Sequence, residues 1–382
     1  MFSTQPDTTR TTTDRATAAV WSGPEKGFSI TTVPLPTLLP GEVLVETELA
    51  TICGSDLHTI GGDRPTPLPT VLGHEAIGHI VGIGGQAATS DGGTLSIGDR
   101  ITWTIGTSCG TCRRCRRGIP QKCLTVRKYG HEAMDDHWKL NGGFGSHVHL
   151  VAGTGLVRLP RDLPAPVATP ANCATATVTC AARRVELTAA DSVVVIGCGM
   201  LGLTAVAYAR ELGVESVIAC DVDPTRRDLA RQFGATAALP PEQLADAATE
   251  LGADVIFEVS GNSRAVQSAF EIVDMGGRIA LVGSVSPAPE VSFEPSGYVK
   301  NLTTVVGSHN YRVDDLTEAV DFLRRTDKQQ LFADLIPDSL PLTEIVAAVD
   351  LARNGVAPRV AIDFGGTAQT DVPGPFDQPA SQ

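Results

Sequence analysis

Residues 192–202 read SVVVIGCGMLG, and they carry more information about the architecture of this chain than any other segment. The apolar run predicts a buried strand, and the glycines after it have the spacing G-x-G-x-x-G and open a predicted helix. From residue 190 onward, short apolar strands alternate with helical segments of roughly 10–15 residues. This alternation is typical of a doubly wound parallel sheet, so the sequence predicts an α/β domain over residues 166–310.

The glycine-rich turn also predicts a dinucleotide site. Gly197, Gly199 and Gly202 permit a tight turn and let the backbone approach a pyrophosphate at the N-terminus of the helix. Asp221 lies nineteen residues after Gly202, at the end of the next predicted strand. A carboxylate at that position accepts hydrogen bonds from the ribose hydroxyls. A βα turn that holds no nucleotide is the alternative interpretation.

Charge favours one of the two nicotinamide dinucleotides. Asp221 would repel the 2′-phosphate of NADP, and Asp223 adds to the negative field, so we expect NAD(H). Arg226 argues the other way, because it could pair with that phosphate.

The residues before this domain follow a different pattern. Between Ala18 and Leu159, short segments such as EVLVETE at 42–48 alternate apolar and polar residues and are separated by Gly and Pro. This pattern predicts an antiparallel, partly open β-barrel. We expect residues 1–16 and 365–382, which are polar or rich in Gly and Pro, to be disordered tails.

Composition excludes several classes of function. The 382 residues have a formal net charge of −13 at pH 7, which disfavours nucleic acid and anionic membranes as partners. No apolar run approaches the roughly 20 residues that cross a bilayer. The first residues are polar and lack the apolar core of a secretory signal. We therefore expect a cytoplasmic protein that binds neither nucleic acid nor a membrane.

Four of the nine cysteines are clustered, and reduced thiols in such a cluster predict a metal site. Cys109, Cys112, Cys115 and Cys123 fall within fifteen residues, where four thiolates can converge on one tetrahedral zinc ion. Basic neighbours offset the negative charge of such a site. We predict a structural zinc lobe at 106–125. An iron–sulfur cluster is the competing interpretation, although the seven-residue gap before Cys123 disfavours it.

A second group of candidate ligands is spread along the sequence. Cys53 and His74 are ligand types that suit zinc, and Glu75 follows His74 directly. Asp56 is a candidate acceptor for the second ring nitrogen of a ligating histidine. On spacing alone, a single Cys and a single His would be ordinary core residues. The glycines around His74 and the polar residues after Cys53 favour a site.

With these segments the chain resembles the zinc-dependent alcohol dehydrogenases of the medium-chain dehydrogenase/reductase superfamily. The resemblance spans residues 18–364 and rests on the Gly-His-Glu segment from Gly73 to Gly78, the four-cysteine lobe and the glycine-rich turn, in the family's order. It implies a GroES-like β-barrel catalytic domain at 17–165 and 311–364 and a Rossmann domain at 166–310. The active site is expected in the cleft between them.

The resemblance also implies roles that spacing alone does not assign. The implied zinc-site residues are Cys53, His74, Cys173 and, as an exchanging ligand, Glu75; Ser55 and His58 match the family's proton-relay positions. Cys173 is the ligand that varies, because some members carry glutamate there. An ordinary buried thiol is the alternative for Cys173.

The dinucleotide contacts that we predict are Gly197, Gly199, Met200, Leu201, Gly202, Asp221, Arg226, Val259, Gly283 and Arg359. Arg359 matches a basic residue that reaches the cofactor in the family, and a solvated surface arginine is the alternative. Gly54 stands where several members carry a basic residue against the pyrophosphate, so that contact is missing here.

The implied activity is an NAD-dependent oxidoreductase that interconverts an alcohol and an aldehyde or ketone. It would hold two zinc ions per chain, use zinc as a Lewis acid, and assemble as a homodimer or homotetramer. A zinc-independent quinone or enoyl reductase on the same fold is one alternative, and it would not need Cys53, His74 and Cys173 together. A non-catalytic NAD-binding protein is another.

The substrate prediction rests on softer signals. Residues 127–143 and 170–177 resemble family members associated with phosphonate metabolism. Arg64, Arg127, Lys128 and His131 lie in segments near the expected cleft, where cations would attract an anion. We therefore predict a small anionic, phosphonate-bearing alcohol or aldehyde. A neutral alcohol or polyol is the alternative, because cations on loops are usually solvated.

Overall fold

A computed structural model describes residues 14–286, 288–355 and 357–364. The strands are β1 (Arg15–Trp21), β2 (Phe28–Pro34), β3 (Val43–Ile52), β4 (Thr70–Val71), β5 (Glu75–Ile83), β6 (Arg100–Thr107), β7 (His147–Leu150), β8 (Thr154–Arg158), β9 (Val193–Ile196), β10 (Val217–Cys220), β11 (Ala237–Leu239), β12 (Ala253–Glu258), β13 (Val273–Leu281), β14 (Thr304–Gly307), β15 (Ser339–Pro341) and β16 (Val360–Asp363).

The α-helices are α1 (Gly54–Gly61), α2 (Arg113–Arg116), α3 (Ala165–Ala168), α4 (Ala174–Arg184), α5 (Met200–Glu211), α6 (Pro224–Gln232), α7 (Leu244–Leu251), α8 (Ser263–Ile272), α9 (Pro295–Asn301), α10 (Val313–Arg325), α11 (Gln329–Asp334) and α12 (Ile345–Arg353). Short 3₁₀ helices lie at Pro120–Lys122, Thr169–Asn172, Pro241–Gln243 and Leu342–Glu344. No helix in the described part of the chain is long and apolar enough to cross a membrane.

Six parallel strands form the sheet of the predicted α/β domain, in the order β11-β10-β9-β12-β13-β14. All four residues of β9 are buried, as its unbroken apolar sequence predicts. The chain proceeds outward in one direction from β9 and in the other from β12. The carboxyl ends of these two strands therefore flank the crevice where doubly wound sheets bind ligands.

Close packing explains two glycines of the turn between β9 and α5. Gly197 has φ +101°, a conformation that favours glycine. A Cβ on Gly202 would lie 1.8 Å from the carbonyl oxygen of Gly197, so only glycine allows α5 to start so close to β9. The turn thereby leaves backbone amides at the N-terminus of α5 facing the crevice.

The remaining strands form two sheets, ordered β2-β1-β4 and β15-β16-β3-β5-β6-β8, with β7 also paired to β3. Their pairings are antiparallel except for β15 with β16. The prediction of a GroES-like barrel joined to a Rossmann-type sheet is confirmed. β1 starts at Arg15, within the segment predicted as a tail; residues 1–13 and 365–382 lie outside the described residues.

A continuous core joins the barrel and the parallel sheet. Ile77 and Ile105 of the barrel belong to the same buried cluster as Val193 and Val195 of β9. Across this junction Thr179 donates a hydrogen bond to the Asp315 carbonyl at 2.7 Å. This packing sets the walls of the cleft between the two parts, whereas the exact domain boundaries stay predictions.

Candidate active site

One buried carboxylate organises the start of α1. Asp56 accepts a hydrogen bond from the amide of Cys53 at 2.9 Å and another from the amide of Gly73 at 3.2 Å. Its Oδ1 lies 3.4 Å from Nδ1 of His74. Asp56 therefore joins α1 to the loop before β5 and lies beside one ring nitrogen of His74, which leaves Nε2 to face the cleft; its role as the acceptor for that nitrogen stays a prediction.

Cys53, His74 and Cys173 converge at the base of the cleft. The two Sγ atoms lie 3.8 Å apart, and Sγ of Cys173 lies 3.4 Å from Nε2 of His74. Around a tetrahedral zinc ion with Zn–S bonds of about 2.3 Å, neighbouring thiolates are about 3.8 Å apart. The side-chain amide of Asn172 holds this segment against β5. It accepts a hydrogen bond from the backbone amide of Ala76 and donates one to the carbonyl of Ala76, both at 3.3 Å. The geometry suits three ligands of one ion rather than separate core residues.

The charge distribution favours the thiolate form of Cys53. A hydrogen bond from Cys173 and the positive charge of Arg359 hold the pKa of Cys53 well below its ordinary value of 9.0, although burial opposes them. Thiolates and neutral imidazole are the forms that bind zinc.

Arg359 is buried, so the alternative of a solvated surface arginine is wrong. It donates to both carboxylate oxygens of Glu75, at 2.7 and 2.8 Å, and Nη2 lies 3.5 Å from Sγ of Cys53. Thr51 donates to Glu75 as well, at 2.6 Å. Both oxygens of Glu75 are therefore engaged, and a direct bond from Glu75 to zinc would require the ion pair with Arg359 to open.

Ser55 and His58 lie on α1 and line the cleft. Oγ of Ser55 is 3.3 Å from Nε2 of His74. His58 is one turn further along, with its side chain 53% exposed and Nδ1 3.2 Å from Oδ2 of Asp63. Ser55 thus lies beside a candidate ligand, whereas His58 lies nearer to solvent.

The opposite wall of the cleft comes from the parallel sheet. Six of the predicted dinucleotide contacts lie in this part of the chain and line the cleft: Gly199, Met200, Leu201, Gly202, Val259 and Gly283. Gly197, Asp221 and Arg226 are not among the cleft-lining residues. The Asp221 carboxylate accepts from the amides of Cys198 at 2.7 Å and Asp223 at 2.9 Å, so it lies directly behind the turn.

The cations Arg64 and Lys128 line the outer part of the cleft. The ring of His131, 5.2 Å from the ring of His74, and that of His309 also line the cleft, and the described residues that line it include no Asp or Glu. Burial and the charge of Arg64 lower the pKa of Lys128 below its ordinary 10.5. Burial and neighbouring cations lower the pKa of His309 to about 4, so this ring is neutral at pH 7.

One predicted cation does not reach the cleft, and one histidine that lines the cleft was not predicted. Arg127 pairs with Asp135 at 2.6 Å and lies 4.2 Å from the centre of the Trp138 ring. His309 lies two residues after the end of β14 and accepts from Lys122 at 2.7 Å. Its position at the carboxyl end of a parallel strand is the signal that could have identified it.

The four-cysteine lobe has the compactness of a single-ion site. Sγ of Cys112 lies 3.5 Å from that of Cys115 and 3.9 Å from that of Cys123. The amide of Cys112 donates to Cys109 at 3.3 Å, and the amide of Cys109 donates to Cys123 at 3.3 Å. These separations match the edges of one zinc tetrahedron, whereas a cluster of several irons would hold the thiolates farther apart.

A dinucleotide-type fold whose cleft brings Cys53, His74 and Cys173 together is typical of one class, the zinc-containing dehydrogenases. Two family models agree: "Alcohol dehydrogenase GroES-like domain" matches residues 39–161, and "Zinc-binding dehydrogenase" matches residues 201–325. The chain belongs to the zinc-binding dehydrogenases of the medium-chain dehydrogenase/reductase superfamily, whose cofactors are zinc and a nicotinamide dinucleotide.

Individual relatives support this assignment. An L-threonine 3-dehydrogenase of Anaeromyxobacter dehalogenans is 33% identical over 271 residues, which is 68% of this chain and 73% of the relative. An L-threonine 3-dehydrogenase of Saccharopolyspora erythraea is 29% identical over 91% of this chain and 98% of its own. The crystal structure of an alcohol dehydrogenase from Thermotoga maritima superposes with a TM-score of 0.86 at 30% identity, covering 91% of this chain and 99% of that one.

Proposed function

We propose that this chain is an NAD(H)-dependent zinc alcohol dehydrogenase with two zinc ions per chain. The observation that carries the proposal is the 3.8 Å separation of Cys53 and Cys173 beside His74, at the base of a cleft whose other wall is the glycine-rich turn. Cys53, His74 and Cys173 would hold the catalytic ion, and the four-cysteine lobe would hold the structural one. When bound, zinc supplies Lewis acidity and the nicotinamide exchanges hydride.

The chain's own groups would hold the ligands and move the proton. Asp56 lies beside Nδ1 of His74, so that the other ring nitrogen faces the cleft. Arg359 holds Glu75 in an ion pair beside Cys53. Ser55 would take the proton of the alcohol, and His58 would release it to water.

The proposed preference for NAD over NADP rests on Asp221. We expect Asp221→Ser to reduce the ratio of kcat/KM for NAD to that for NADP by about 10-fold or more, because roughly 1.4 kcal/mol of charge repulsion against the 2′-phosphate is removed. The absolute rate with NAD should fall too, since the Cys198 amide loses its acceptor.

The matched control for that experiment is Asp228→Ser, which removes an exposed carboxylate from α6. It should leave the ratio unchanged. A wild-type ratio that favours NADP, or equal ratios for the two variants, would contradict the proposal.

We further propose that the substrate is a small alcohol or aldehyde with an anionic group, a phosphonate being the first candidate. Arg64 and Lys128 at the outer cleft support this, and so does the lack of a carboxylate among the described residues that line it. L-threonine is the second candidate, because relatives at 28–33% identity carry that name. Its carboxylate suits the same cations, but its ammonium group would find no lining carboxylate.

The role of Lys128 gives the test of substrate charge. We expect Lys128→Met to lower kcat/KM for a phosphonate-bearing aldehyde by about 10-fold and to leave a neutral aldehyde of equal length nearly unchanged. The wild-type kcat/KM for the anionic compound should fall as the pH rises, starting below the ordinary Lys value of 10.5, because the protonated amine binds and its pKa is lowered.

Lys26→Met, which removes an exposed lysine in the turn after β1, is the control and should change neither substrate. Equal turnover of the charged and neutral aldehydes, without dependence on ionic strength, would leave a neutral alcohol or polyol dehydrogenase. Better turnover of L-threonine than of the phosphonate would favour the second candidate.

A homodimer or homotetramer is also proposed. β14 is an edge strand of the parallel sheet, and large apolar side chains are exposed on it and before it: Phe293, Val299, Leu302 and Val305. Such a patch suits association with a second copy, and a monomer in sedimentation would contradict it. The cytoplasmic location stays a prediction from the sequence.

A further inference from the structure

A third group of ligand-type side chains lies at the start of β3, the strand whose other end leads to Cys53. Glu42, His137 and His149 place their ligand atoms within 4.8 Å of one another. Oε1 of Glu42 is 2.9 Å from Nε2 of His137, and Oε2 is 2.9 Å from Nε2 of His149. The proposed dehydrogenase activity uses none of these residues.

Each member is positioned by a different segment. Glu42 directly precedes β3, and its carboxylate also accepts from the amide of Leu39 at 2.9 Å. His149 lies in β7 opposite Leu44, and its carbonyl accepts from the Trp138 indole at 2.8 Å. His137 lies in the loop before β7, where its amide donates to Asp135 at 2.9 Å. The arrangement is therefore fixed by backbone pairing and loop hydrogen bonds as well as by the contacts within the group.

We propose that Glu42, His137 and His149 bind a third divalent transition-metal ion of the zinc class. Two imidazole nitrogens and a carboxylate are a ligand set that zinc accepts, with a water or another small ligand in the fourth position. The side chain of His137 is 41% exposed, and a cavity of about 180 Å³ that His137 and His149 line opens beside them. An ion thus has a route of entry and room for a fourth ligand.

The electrostatic state of the group suits an ion. Burial alone would raise the pKa of Glu42, but hydrogen bonds from His137, Leu39 and His149 lower it, so it is a carboxylate. Burial lowers the pKa of His149 and keeps the ring neutral at pH 7. Its Nδ1 is buried with no hydrogen-bond partner among the described residues, so Nε2 is the ring atom in contact with Glu42, and binding an ion there moves the ring proton to Nδ1.

An ion here would tie the loop that contains His137 to β3 and β7. The same segment contributes Lys128 and His131 to the cleft, and Arg127 lies over the ring of Trp138, the residue after His137. Occupancy would therefore stabilise one wall of the cleft from behind. The binding itself does not depend on which substrate the cleft accepts.

Metal content of the full chain tests the proposal. Wild type, His137→Gln, Glu42→Gln and a control variant are equilibrated at the same low micromolar concentration of free zinc, and bound zinc per chain is measured. The control is His79→Gln: His79 is similarly exposed and lies 3.3 Å from Glu48, but the described residues supply no third ligand there. We expect wild type and His79→Gln to hold one zinc more than the other two variants.

All four proteins have the same cysteine sites, so the difference in zinc content between them does not depend on how many ions those sites retain. The result therefore tests the third site separately from the two sites of the proposed dehydrogenase. Added zinc should also raise the Tm of wild type and His79→Gln more than that of His137→Gln. With cobalt, the extra ion should add no thiolate-to-metal charge-transfer absorption, since its ligands are nitrogen and oxygen. Equal zinc content in all four proteins would overturn the proposal and leave a hydrogen-bonded triad.

Discussion

Cys53→Ala is expected to reduce alcohol oxidation by at least about 1,000-fold while the protein stays folded. Loss of one thiolate from the set of Cys53, His74 and Cys173 should prevent zinc from binding there, and Lewis-acid stabilisation of this kind contributes roughly 4 kcal/mol or more to the transition state. The variant should contain one zinc ion fewer than wild type, with the four-cysteine lobe still loaded. Steady-state rates and zinc content of the same preparation measure both effects.

Cys220→Ala is the control for this experiment, because Cys220 is buried in an apolar cluster of the parallel sheet. It should cost about 1 kcal/mol of stability and retain the zinc content and turnover of wild type. If Cys53→Ala kept its activity, the zinc-independent reductase would become the better interpretation. If wild type held only one ion at the two cysteine-containing sites while fully active, the proposal of two such sites would be wrong.

Cys112→Ser should act on stability rather than on chemistry. Cys112 contacts both Cys115 and Cys123, and zinc binding at such a lobe is linked to its folding. We expect the Tm to fall by roughly 5–10 °C, equivalent to about 2–3 kcal/mol, with loss of one zinc ion per chain. Calorimetry and zinc analysis measure this, and the KM for the alcohol should change little at temperatures where the protein is folded.

Arg116→Ser tests whether a change anywhere in the lobe has the same effect. Arg116 lies on the same short helix, is exposed, and contributes no ligand. Its Tm should stay within about 2 °C of wild type. A Cys112→Ser protein with unchanged Tm and zinc content would rule out a structural ion at these cysteines.

Short-range pattern was enough for the elements that the sequence predicted well. The buried strand β9 and the turn after it follow from consecutive apolar residues and from glycine spacing. Asp56 was predictable for the same reason, since it is three residues from Cys53. Family resemblance supplied Cys173, whose own segment offers no metal-binding pattern.

Partners that are distant in sequence could not be predicted in this way. Arg359 is paired with Glu75 across 284 positions, so its burial was invisible in its own segment. His137 and His149 meet Glu42 across 95 and 107 positions. Arg359 reaches Glu75 because β16 pairs with β3, and His149 reaches Glu42 because β7 pairs with the same strand. Arg127, by contrast, was predicted to lie near the cleft, but its ion pair with the nearby Asp135 holds it away from the cleft.

The position of Asp56 has a consequence for how such an enzyme can diversify. A single buried carboxylate serves the start of α1, the loop before β5 and the ring of His74, so any change there alters helix geometry and metal affinity together. Substitutions in the inner wall of the cleft are therefore an unfavourable route to a new specificity. Arg64 and Lys128 in the outer part of the cleft do not position a candidate zinc ligand, so new substrate preferences would be acquired there at the least risk to the metal.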